Sequence, residues 1–151
     1  MRPREPRFVP AGAGGPFVRD EHTGLVWHRV EHRTLYADTD RSQVVYHANY
    51  LRYFELGRAS LLRDVGFPYR EVEQSGFVYP IVDLALRFMR PLYYDDRMWV
   101  HTRPLRREAV AVTFDYAITR AEDGALACTG HTRHCALNER GTVVEVDPMT
   151  V

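Results

Sequence analysis

Only one stretch of this chain has the pattern of a long helix, and nearly everything after it reads as strand. From His47 to Val65 the apolar side chains fall at Tyr50, Leu51, Phe54, Leu61, Leu62 and Val65, the i, i+3, i+4 stripe of an amphipathic helix. Gly57 lies on the same face. A glycine inside a helix costs about 1 kcal/mol against alanine, so its presence there predicts that the helix comes very close to a sheet. Gly66 and Pro68 then stop the helix, and Tyr69 to Gln74 predicts a short second helical turn. Leu25 to Tyr36 forms a first strand before the helix, with Phe17 to Arg19 as its hairpin partner. After the helix come Val78 to Arg90, Arg97 to Arg106, Ala109 to Arg120 and Leu126 to Leu137, then a short run from Val143 to Val146. Turn signals at Pro91, Asp95 and Asp96, Glu122 to Gly124 and Asn138 to Gly141 join these runs tightly. Tight connections imply antiparallel neighbours. One long helix with a meandering sheet predicts an α+β fold in which antiparallel strands wrap around the helix.

At 151 residues the chain is of single-domain size. Its first sixteen residues are rich in Pro, Gly and Arg, which predicts a flexible N-terminal extension and leaves 17–151 as the folded domain. The formal net charge is zero, so nothing points to nucleic acid or to a membrane surface. No apolar run approaches the length of a membrane span, and the N-terminus carries no signal-peptide core. All twenty basic residues are arginine, which excludes Schiff-base chemistry on a lysine and a Walker-type phosphate loop. Cys128 and Cys135 stand seven apart on one predicted strand, hence on opposite faces. That spacing argues against a disulfide between them and fits a cytoplasmic protein.

The chemistry concentrates between the first strand and the helix. Asp38 and Asp40 come at the end of the strand, and His47 opens the helix seven residues later. A helix N-terminus offers unbonded N–H donors and partial positive charge to a developing oxyanion, and a facing carboxylate supplies a base or a nucleophile. Asp40 is the candidate for that role; the alternative is a turn aspartate that caps its local backbone. Asp38 reads as structural, holding the loop through backbone N–H groups. His28 with His32, and His131 with His134, lack a third ligand in register, so no metal is expected.

Tyr36, Asp38, Asp40, Val44, Val45, Tyr46, His47, Asn49 and Tyr50 together resemble the motif of the 4-hydroxybenzoyl-CoA thioesterase family, acyl-CoA thioesterases of hotdog fold. The resemblance extends more loosely from about Leu25 to Asp147. It implies hydrolysis of an acyl-CoA thioester without metal or organic cofactor. Asp40 would attack the carbonyl or activate the water that does, and the His47 N–H would bind the thioester oxygen. The His47 imidazole is a second possible participant. Glu55 and Arg58 would pair on the helix. Tyr46 and Gln43 are candidate substrate contacts, and Arg106 with Arg107 resemble a basic pair placed near the CoA phosphates. Arg41, Ser42 and Gln43 depart from the small residues usual in the family, which puts the identity of the acyl group in question. A homodimer or homotetramer with the site between subunits is implied. Rival readings are a thioesterase acting on acyl carrier protein or on an aromatic acyl-CoA, and a non-catalytic hotdog module that binds acyl-CoA.

Overall fold

The computed structural model describes residues 4–12 and 14–146. Its strands are β1 (Phe8–Pro10), β2 (Phe17–Asp20), β3 (Val26–Arg33), β4 (Ile81–Phe88), β5 (Arg97–Arg107), β6 (Ala111–Arg120) and β7 (Leu126–Cys135). Two helices, α1 (Asn49–Asp64) and α2 (Tyr69–Gln74), fall between β3 and β4. All seven strands pair antiparallel in one sheet of order β1-β2-β3-β5-β6-β7-β4. One long helix against such a sheet is the expected α+β hotdog arrangement.

The predicted helical stripe is the buried face of α1. Phe54 is fully buried and stacks on Tyr116 of β6, with ring centroids 4.3 Å apart and planes 5° off parallel. Around them Tyr50, Tyr53, Leu61 and Leu62 meet Met98, Val100 and Ile118 from β5 and β6. Gly57 explains how the helix comes so close. A Cβ there would stand 2.5 Å from Thr102 Oγ1 and 2.7 Å from Val100 Cγ1, so any side chain would push α1 off β5. At the other end Gly66 adopts φ +92°, Gly66 N–H donates to the Arg63 carbonyl and Phe67 N–H to that of Leu62. That pair of bonds is the Schellman termination, which needs a left-handed residue just past the helix.

The two sheet edges differ. β1 is three residues long and ends in Pro10, a short edge that cannot extend its pairing. β4 is eight residues long and carries Ile81, Val82, Leu84 and Phe88 exposed.

The structure corrects the expectation that the first sixteen residues stand apart as a flexible extension. Phe8 meets the Trp27 ring edge-on at 5.6 Å and stacks on His101 at 3.7 Å. Arg7 N–H donates to the Asp20 carboxylate at 3.0 Å. One aromatic residue, seated on the sheet face that α1 does not cover, supplies apolar contact that composition alone had discounted. Residues 1–3 and 13 of that segment lie outside the described residues. The run from Val143 to Val146, expected as a strand, reduces to a single bridge between Val143 and Leu137.

Candidate active site

After β3 the chain makes one 3₁₀ turn at Tyr36–Asp38. It then folds back on itself, with isolated bridges between Thr39 and Val45 and between Val44 and Tyr93. Asp38 is the post that holds this loop. Only 2% exposed, its Oδ2 accepts from Tyr53 Oη at 2.8 Å and from Leu35 N–H at 3.0 Å. Burial, then the bond to Asp38, raises the Tyr53 hydroxyl above the usual phenol range, so it stays a donor. The Asp38 carbonyl accepts from the Tyr46 N–H and from Asn49 Nδ2, both at 2.9 Å, which ties the loop to the start of α1.

Asp40 lies two residues on, exposed, in a turn that runs to Gln43. Ser42 N–H donates to Asp40 Oδ1 at 2.8 Å, and its Oδ2 meets no donor among the described residues. His47 follows at the entrance to α1. Asn49 N–H already donates to Tyr46 and Tyr50 N–H to His47, but the His47 N–H meets no acceptor among the described residues. Asp40 and His47 line one cleft of about 330 Å³. Its floor includes Val45 and Tyr50, and its far wall is Phe88 to Pro91 at the end of β4. Tyr50 meets Phe88 edge-on at 5.2 Å. Burial and the neighbouring Cys128 push the Tyr50 hydroxyl up to about 12, so it is neutral at physiological pH.

Of the residues singled out in the sequence, the structure brings Asp40 and His47 together. Tyr46 sits beside them, its ring 4.3 Å from that of His47, but it is exposed and lies outside the cleft lining. Gln43 takes φ +68° at the exposed corner of the turn, also outside the lining. Arg106 and Arg107 border a different cleft, between the end of α1 and the β5–β6 hairpin, with Leu61, Val65 and Phe114. The Glu55–Arg58 pair does not form: Arg58 turns inward, 7% exposed, and donates to Tyr116 Oη at 2.9 Å, while Glu55 stays at the surface. Sequence reasoning missed the wall formed by Phe88, Met89 and Arg90. The one available signal was a strand that ends in an arginine at Pro91.

Among the described residues no group of three or more His, Cys, Asp or Glu side chains gathers into a metal site, and no helix is long and apolar enough to cross a membrane. Both cysteines are free.

The family model described as Thioesterase-like superfamily matches residues 34–151. The chain belongs to that superfamily. Among its thioesterase-like relatives, the putative acyl-CoA thioesterase YneP of Bacillus subtilis is 45% identical over 67 residues, 44% of this chain and 49% of that one. That match therefore spans about half the length of the Bacillus protein. The 1,4-dihydroxy-2-naphthoyl-CoA hydrolase of Thermosynechococcus vestitus is 32% identical over 117 residues, 76% of this chain and 80% of the relative. The crystal structure of the DHNA-CoA thioesterase from Staphylococcus aureus matches with a TM-score of 0.76 and 29% identity, over 80% of this chain and 81% of that one.

Proposed function

We propose that this member of the thioesterase-like superfamily hydrolyses acyl-CoA thioesters, with Asp40 as the catalytic carboxylate and the His47 N–H as the oxyanion donor. The observation that carries the reading is the cleft that both residues line: among the described residues one Asp40 carboxylate oxygen meets no donor and the His47 N–H, at the entrance to α1, meets no acceptor. With the thioester carbonyl oxygen on the His47 N–H, negative charge that builds there during attack meets a donor and the positive end of α1. Asp40 either takes a proton from the attacking water or itself attacks the carbonyl carbon. In the second case a water then hydrolyses the acyl-aspartyl anhydride left after the thiolate departs, releasing the acid and restoring Asp40. Collapse of the tetrahedral adduct breaks the C–S bond, and the CoA thiolate leaves and takes up a proton. The relatives' names support the same reaction class.

The aromatic alternative has one observation in its favour, the edge-on Tyr50 and Phe88 rings within the cleft. Thiol release measured across short-chain, long-chain and aromatic acyl-CoAs, with an acyl carrier protein thioester alongside, identifies the substrate. Binding of acyl-CoA without turnover of any of them would reverse the reading in favour of a non-catalytic module.

His47 offers the sharper test of mechanism. If its N–H is what acts, His47→Gln and His47→Tyr keep most of the activity. His47→Pro, which deletes the donor, loses about 10²–10³-fold in kcat while circular dichroism reports an intact fold. Loss in the Gln and Tyr variants, together with a pH–rate inflection that disappears, would assign the work to the imidazole instead.

Assembly belongs to the same proposal. The exposed Ile81, Val82 and Leu84 on the long β4 edge are what a second copy would cover, leaving Phe88 at its end to the cleft, giving a homodimer or homotetramer that acts in the cytoplasm. Sedimentation velocity at micromolar concentration should give twice or four times the monomer mass. A monomer there would end the assembly claim.

A further inference from the structure

A second cavity adjoins the reaction cleft. The two share Phe88, Met89 and Arg90, the end of β4 and the residues just after it. From there the cavity, about 600 Å³, opens toward Arg87, which stands opposite Thr129 of β7, and is closed over by Arg4, Glu5 and Pro6. Three arginines therefore converge beside a cleft that itself holds a single carboxylate. Arg90 donates to Glu5 Oε1 and to the Leu126 carbonyl, both at 2.9 Å. Arg4 and Arg87 meet no carboxylate among the described residues. The covering segment is anchored: His22 Nδ1 lies 2.7 Å from the Glu5 carbonyl oxygen, and Arg7 is tied to Asp20.

A basin with three arginines and one glutamate is built for an anion of more than one charge, and guanidinium groups pair with phosphate oxygens two at a time. Its continuity with the Asp40 cleft says which anion. We propose that this basin, roofed by the N-terminal segment, holds the phosphates at the nucleotide end of CoA through Arg87, Arg4 and Arg90, while the pantetheine arm passes Phe88 and Met89 to reach Asp40. The proposal rests on the thioesterase reading for its substrate and extends it to residues that the motif does not contain. It makes the N-terminal segment part of the substrate site, and it competes with Arg106 and Arg107 for the same phosphates. Glu5 has a defined part: its carboxylate occupies Arg90, so an incoming phosphate must displace or share it.

The test separates binding from turnover. Adenosine 3′,5′-bisphosphate, which carries CoA phosphate groups but no thioester, is titrated by calorimetry into the wild-type protein and into Arg4→Ala/Arg87→Ala. The double variant should bind about tenfold or more weakly, as expected for loss of charge-assisted phosphate contacts, and the difference should shrink as salt rises. Glu5→Gln should bind more tightly than wild type, an outcome that a merely structural role for the segment would not produce. In turnover, the ratio of KM for acyl-CoA to KM for the matching acyl-pantetheine thioester should rise by the same factor in the double variant. Equal affinity in wild type and double variant, or a loss that appears in Arg106→Ala/Arg107→Ala instead, overturns the basin. Binding that behaves as expected without hydrolysis of either thioester leaves the basin standing and refutes the thioesterase reading, so the two failures are distinct. Matching thermal midpoints guard against a folding artefact.

Discussion

Asp40→Asn should fold and assemble like the parent protein and lose about 10²–10⁴-fold in turnover, the range spanned by a positioned acid–base group. The amide matches the carboxylate in size and still accepts from the Ser42 N–H, the only bond the turn needs from that side chain, but it can neither attack a carbonyl nor take a proton from water. The paired control is Asp38→Asn. Asp38 sits buried with two donors on a single oxygen. Its amide has to present one oxygen to both donors while burying a new NH₂ group, so the loss appears mainly in stability. Steady-state thiol release with urea unfolding of both variants checks the pair. Near-parental hydrolysis by a folded Asp40→Asn protein would remove Asp40 from the mechanism.

Mild acid should destabilise the protein through two buried histidines. His101 and His134 are each 1% exposed. Burial pulls both imidazoles down to about 4 from an ordinary 6.5, with the charge of Arg29 adding to the effect at His101 and that of Arg58 at His134. The bonds to backbone carbonyls favour the charged ring and oppose this shift, but burial outweighs them. His101 Nδ1 lies 2.9 Å from the Ala117 carbonyl oxygen, and His134 bridges the Tyr79 carbonyl and Thr132 Oγ1 at 2.9 and 2.8 Å. Between pH 6.5 and 4 the unfolded chain binds protons that the folded one refuses, so stability falls as pH is lowered through that window and levels off, for these two groups, below it. A shift of this size corresponds to about 3 kcal/mol per ring, a large share of a typical domain's stability. Urea midpoints from pH 7.5 to 4.5 should fall steadily, while imidazole NMR signals of the two rings stay unprotonated in the folded state. A folded-state titration of either ring near 6.5 would contradict this.

What could be read from the sequence has a common character: it is local. The helix at Asn49–Asp64 was legible because its stripe repeats within one element, and its end because Gly66 and Pro68 act on the backbone next to them. The close packing at Gly57 was legible because a glycine in mid-helix is costly unless something occupies the space. Asp40 and His47 could be placed near one another in advance because only seven residues separate them. The Asp38 side chain was read as structural for the same reason, and its partners, Leu35 and Tyr53, are near in sequence.

What failed or was missed depends on partners distant in the chain. Arg58 pairs with Glu55 on any helical wheel, yet α1 is rotated so that Arg58 faces Tyr116 of β6, a contact across 58 residues. The N-terminal segment looked too polar to order itself, and by itself it is. Trp27 and His101, brought side by side by the β3–β5 pairing, make the surface on which Phe8 settles. The far wall of the cleft lies some forty residues after the motif, and the arginine basin behind it also draws on Arg4 to Pro6 from before the motif; they meet only because β4 closes the sheet beside β7. By itself, then, the sequence determined the α+β hotdog class, the helix with its ends, and the short spacing of the Asp40 carboxylate from the start of that helix, since periodicity, capping and short loops are set by neighbours along the chain. Only the tertiary structure decided what surrounds that carboxylate, because strand order and the rotation of α1 follow from burying many side chains at once, and no single segment encodes that compromise.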